Sequence, residues 1–83
     1  EPSTNVLNVF PNPCSNSVTL DMPGGIPIHE VKCFDNYGRP MYVILRQTED
    51  ENKLYFNLRS GIYYLRIITA EKSFVAQFIV LEE

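Results

Sequence analysis

The 83 residues predict an all-β chain folded as an antiparallel sandwich of seven short strands. Three observations carry this reading. Apolar residues alternate with polar ones in run after run, and no stretch sustains the 3.6-residue period of a helix. Clusters of Pro, Gly, Asn and Asp divide the runs at the short spacing of sandwich strands. Five Tyr, five Phe and many Val and Ile suit a pleated, half-buried surface. A partly closed barrel is the alternative arrangement of the same strands.

The first run, Val6 to Phe10, is closed by Pro11-Asn12-Pro13, because proline has no backbone donor to continue a ladder. Ser17 to Met22 follows, with Val18, Leu20 and Met22 on one face, and Pro23-Gly24-Gly25 turns the chain. The third strand, Ile28 to Asp35, points Val31 and Cys33 inward and Glu30 and Lys32 outward. Asp35-Asn36-Tyr37-Gly38 makes the hairpin connection, with Gly38 supplying a positive φ and the Asp35 side chain capping the turn. Met41 to Arg46 returns with Met41, Val43 and Leu45 against Tyr42, Ile44 and Arg46. After the acidic tip Glu49-Asp50-Glu51, Lys53 to Leu58 buries Leu54, Phe56 and Leu58.

The sixth strand follows Ser60-Gly61 and sets Tyr63, Leu65 and Ile67 against Ile62, Tyr64, Arg66 and Ile68. A tight turn at Ala70-Glu71-Lys72 leads to the last strand, Ser73 to Leu81, with Phe74, Ala76, Phe78 and Val80 on one face. Leu58, Gly61 and Tyr63 together resemble the tyrosine corner of immunoglobulin-like sandwiches, where a phenol packs inward and bonds backbone upstream. Leu65 stands where such a domain carries its second cysteine, so that family's inter-sheet disulfide is not expected. The expected fold is thus a seven-stranded antiparallel immunoglobulin-like β-sandwich.

Length allows a single core. Residues 1–5 read as the remnant of a linker and 6–83 as one domain, cut from a longer protein. No signal peptide opens the sequence, and no apolar run has the length of a membrane span, so membrane insertion is not expected. The net charge is −3, and the seven Lys and Arg are scattered singly, which argues against nucleic acid as a partner. Cys14 and Cys33 permit one disulfide, but small buried hydrophobes are the favoured reading. The open edges of short strands leave a monomer or a weak dimer.

Chemistry is hard to find. His29, the lone histidine, has no Ser or Cys nucleophile at a motif spacing, and two thiols without further ligands make no zinc site. Asp21, Asp35 and the Glu49–Glu51 run lack the ligand spacing of a calcium loop, and Gly24-Gly25 lacks the lysine of a phosphate loop. No catalytic residue, metal or cofactor is assigned. Tyr42, Tyr55 and Tyr64 are expected to face outward, which keeps open an accessory module that binds carbohydrate or a protein partner.

Four segments in order resemble the C-terminal sorting domains of the Bacteroidetes type IX secretion system. These are Asn8-Val9-Phe10-Pro11-Asn12-Pro13 with Val18-Thr19-Leu20, then Val31 to Met41 around Asp35-Asn36-Tyr37-Gly38-Arg39, then Leu58 to Ile67, and finally Phe74 to Val80. Where family members often carry lysines in the last strand and a basic end, this chain has Ala76, Gln77 and Leu81-Glu82-Glu83. The resemblance implies a secretion address on a larger exported cargo, not an enzyme. Its partners would be the outer-membrane translocon and a sortase-like peptidase. The route would run through the periplasm to the cell surface or the medium, with any scissile bond at or before Glu1–Asn5. The surface expected to be read comprises the Pro11, Asn12, Pro13 turn, the Asp35, Gly38, Arg39 hairpin and the last strand at Gln77 and Phe78, with Leu58, Gly61 and Tyr63 as further motif residues. Pro11, Gly38, Leu58, Gly61 and Tyr63 also each have a folding role that accounts for them.

Overall fold

A computed structural model describes residues 5–82. Nine strands, among those residues, form two sheets around one core. In chain order they are β1 (Asn5–Val6), β2 (Val9–Phe10), β3 (Ser17–Leu20), β4 (Glu30–Phe34), β5 (Pro40–Met41), β6 (Val43–Gln47), β7 (Asn52–Phe56), β8 (Gly61–Ile68) and β9 (Ser73–Val80). A 3-10 turn at Pro23–Gly25 joins β3 towards β4. One sheet has the order β1-β9-β8-β4-β5 and the other β2-β3-β7-β6.

The expected count of seven becomes nine because two of the runs change sheets. The first divides after Val6: β1 pairs with β9, while β2 pairs with β3 in the opposite sheet. The fourth divides at Tyr42: β5 pairs with β4, and β6 pairs with β7. A strand that forms a corner of a sandwich must bend out of one ladder to enter the other. The expectation of wholly antiparallel pairing is also corrected, since β1 runs parallel to β9 and Cys14 forms a parallel bridge with Val80. The linker expected at residues 1–5 falls mostly on residues 1–4, which lie outside the described residues; Asn5 is paired with Phe74.

The faces follow the alternation. Tyr63, Leu65 and Ile67 of β8 and Phe74, Ala76, Phe78 and Val80 of β9 are buried, as are Val18, Leu20, Cys33, Leu54, Phe56 and Leu58. Val31, Met41, Val43 and Leu45 are half-buried and pack against this cluster from the sheet margins. Burying a side chain such as Phe78, which has no exposed surface, contributes about 2–3 kcal/mol. Both cysteines are buried free thiols. Burial, with the negative charge of Asp35 nearby, pushes Cys33 up to about 12, so it behaves as an apolar filler. No helix among the described residues is long and apolar enough to cross a membrane.

Candidate functional site

The candidate segments lie along one row that crosses the five-stranded sheet. The register sets Phe34 opposite Tyr64 and Tyr64 opposite Gln77, and Asn12 lies on the far side of Gln77. This row links the end of β4, the middle of β8 and β9 and the proline turn.

At the proline turn, Pro11 and Pro13 have no N–H to offer β9, and both Phe10–Pro11 and Asn12–Pro13 are cis. The Asn12 carboxamide takes the place of a peptide group. Its Nδ2 donates to the Gln77 carbonyl at 3.2 Å, and its Oδ1 accepts the Ile79 N–H at 2.9 Å. Backbone pairing flanks this clamp on both sides. The Leu7 N–H donates to the Val75 carbonyl, the Cys14 N–H to the Ile79 carbonyl and the Leu81 N–H to the Cys14 carbonyl, each at 2.8 Å. The outer edge of β9 is thus sealed by β1, one side chain and one bridge. An edge left open would be a template for unwanted pairing.

At the hairpin, the buried Asp35 carboxylate organises the turn. Its Oδ1 accepts the N–H groups of Tyr37 and Arg39, both at 2.9 Å, and its Oδ2 accepts Arg39 Nε at 2.6 Å. Burial pulls the carboxyl pKa upward, but the Arg39 and Tyr37 donors and the guanidinium charge outweigh it, and the pKa lies below the usual carboxylate range. Gly38 closes the turn at φ +83°, a conformation that an L side chain resists. The capping role expected for Asp35 is the one found. Arg39 also lies over the Tyr37 ring at 5.3 Å.

At the corner before β8, the Tyr63 hydroxyl donates to the Arg59 carbonyl at 2.8 Å, and its ring stacks on Phe78 at 5.7 Å. Burial, reinforced by Asp35, Cys33 and Glu82, raises the phenol pKa. Gly61 differs from the expected backbone need. Its φ is not positive, and a Cβ there would meet the Tyr63 ring at 3.6 Å, an ordinary contact. Sequence reasoning missed Glu82, whose Oε1 accepts the Ser60 N–H while its own N–H donates to Ser60 Oγ, both at 2.8 Å. Nothing in the local pattern signals a pair separated by 22 residues. The signal for Asn12 was present, since a side chain flanked by two donorless residues is the natural substitute for their missing bonds.

Pro11, Asn12, Pro13, Gly38, Arg39 and Gln77 are exposed; Asp35, Leu58, Tyr63 and Phe78 are buried. Asp35 holds Arg39 through its carboxylate, and Tyr63 stacks on Phe78 within the core. Among the described residues no three metal-ligating side chains gather. The tyrosine platform also fails to assemble. Tyr64 lies on the five-stranded sheet, Tyr55 on the four-stranded sheet, and Tyr42 at the crossing between them. The accessory-module reading therefore finds no support.

The profile of a family described as a secretion system C-terminal sorting domain matches residues 8–81. No curated protein and no solved structure matches the chain. The matched span takes in all three converging segments and ends at the strand the proline turn clamps. The chain belongs to the family of secretion-system C-terminal sorting domains, type IX signals of Bacteroidetes that address proteins for export towards the cell surface.

Proposed function

We propose that the strip across the five-stranded sheet formed by the Pro11–Pro13 turn, the Asp35–Arg39 hairpin and the exposed side of β9 at Gln77 is the surface read by the type IX outer-membrane translocon. The observation that carries this reading is the convergence of the three segments on one row, Phe34–Tyr64–Gln77–Asn12. A surface held by an amide clamp, a capped hairpin and a tyrosine corner has little ordering entropy left to lose on binding. Residues 6–83 act as one sorting domain for a cargo joined upstream. The cargo passes the periplasm, crosses the outer membrane and reaches the surface or the medium, where a sortase-like peptidase removes the domain at or before residues 1–5. The sandwich is read as immunoglobulin-like, supported by the Tyr63-to-Arg59 bond across the corner.

The test is a fluorescent reporter with an N-terminal export signal and these 83 residues at its C-terminus, expressed in a Bacteroidetes host. Delivery to the surface or medium is expected, and it should disappear in a translocon-deficient strain and without the domain. Gln77→Glu, which alters the read surface and leaves the backbone clamp in place, should reduce delivery while the domain stays folded. Reporter retained in the periplasm with an intact, folded domain refutes the reading.

A further inference from the structure

We infer that β6 is a self-pairing edge through which two copies of this domain join their four-stranded sheets into one eight-stranded sheet. Of the four sheet edges among the described residues, three are two-residue strands: β1, β2 and β5. One of them contains Pro40, and another runs straight into Pro11. β6 is five residues long and carries neither proline nor glycine.

The direction of its free backbone groups follows from its partner. The Phe56 N–H donates to the Asn16 carbonyl, away from β6, so Val43 and Phe56 face each other as a pair without mutual hydrogen bonds. Alternation then turns the N–H and C=O of Val43, Leu45 and Gln47 outward. The Thr48 N–H bond to the Glu51 carbonyl at the hairpin end gives the same phase. Val43 and Leu45 are only half-buried, whereas Leu54 and Phe56 beside them are buried. A strand added here would complete the cover over the core margin.

A second copy fits this edge. With Leu45 opposite Leu45 of the other copy in antiparallel pairing, every outward-facing residue meets another: Val43 meets Gln47, Leu45 meets itself and Gln47 meets Val43. The same register sets Ile44 against Arg46 of the other copy, so no like charges are directly opposed. Arg46 is drawn back over Tyr55 at 5.9 Å, which keeps the two guanidinium groups apart. A two-fold contact of this kind is isologous and closes at a dimer. Its small area makes it weak, with a dissociation constant on the order of 0.1–1 mM.

The test uses the 15N-labelled domain, followed by amide shifts and by sedimentation from about 10 µM to about 2 mM. Concentration-dependent shifts are expected at the Val43, Leu45 and Gln47 amides, with dimers in sedimentation. Ile44 lies on the outer face, so its charge can be changed without entering the core. Ile44→Glu faces Arg46 of the other copy twice per dimer and should tighten association about fivefold; Ile44→Lys should weaken it about fivefold. Gln47→Pro removes an outward donor that the monomer does not use and should also weaken it. A domain that remains monomeric throughout, or an Ile44→Glu dimer no tighter than the parent, overturns the inference.

Discussion

Replacing Asn12 by alanine removes the clamp that closes β9 and leaves the prolines beside it untouched. Two hydrogen bonds are lost, to the Gln77 carbonyl at 3.2 Å and from the Ile79 N–H at 2.9 Å. Both lie near solvent, so water can replace part of each, and the net loss is about 0.5–1 kcal/mol per bond. The sum of about 1–2 kcal/mol corresponds to a fall in Tm of roughly 5–15 °C for a domain of this size. Asn12→Asp is a sharper probe, because the carboxylate can still accept from Ile79 but turns an oxygen towards the Gln77 carbonyl. It should destabilise at least as much as alanine at neutral pH and recover part of the loss in acid, where a protonated oxygen can donate. Thermal melts measure the global effect, and hydrogen exchange at the Ile79 amide reports the clamp itself. Unchanged Tm together with unchanged Ile79 exchange in Asn12→Ala would refute the idea that this side chain stands in for strand pairing.

Three further outcomes follow from the same geometry. Tyr63→Phe keeps the stacking on Phe78 but leaves the Arg59 carbonyl without its donor, and should cost about 1–2 kcal/mol in denaturant unfolding. Gly38→Ala, at φ +83°, should cost about 1–2 kcal/mol, whereas Gly61→Ala, with an ordinary contact at 3.6 Å, should stay within about 0.5 kcal/mol. The contribution of Asp35 depends on pH because its folded pKa lies below the ordinary value of 3.8. The unfolded chain therefore binds its proton first as pH falls. The stabilisation is complete above the unfolded pKa and is lost as pH drops through the folded one. Acid unfolding followed by circular dichroism should show Asp35→Asn to be less stable than the parent at neutral pH, with the difference shrinking in acid.

Much of this molecule was legible locally. A period of two assigns Tyr63, Leu65 and Ile67 to the core because successive side chains on a strand point to opposite faces, and their burial agrees. The Asp35 cap and the Gly38 turn were legible for a similar reason. Both are interactions over a few residues, with side-chain chemistry that suits few other conformations. The Pro11-Asn12-Pro13 turn and the Leu58-to-Tyr63 corner were legible as motifs, and the matched family profile spans them. Gly61 shows where such reasoning overreaches, because a glycine at a bend does not by itself require a positive φ.

The sequence by itself determined the strand faces, the turns, the tyrosine corner and the membership of a sorting-domain family. Tertiary structure alone decided which strands are neighbours. It divided Val6 to Phe10 and Met41 to Arg46 between sheets, made β1 parallel to β9, left Cys14 and Cys33 as free thiols and placed Asn12 against residues 65 and 67 positions away. The reason is physical. Alternation records which side of a strand meets the core, and it is written residue by residue along the chain. Strand neighbours are chosen by backbone donors and acceptors that must all find partners at once, and every strand carries nearly the same set of those. Only the packed molecule settles that accounting, and at β9 it does so with one asparagine between two prolines.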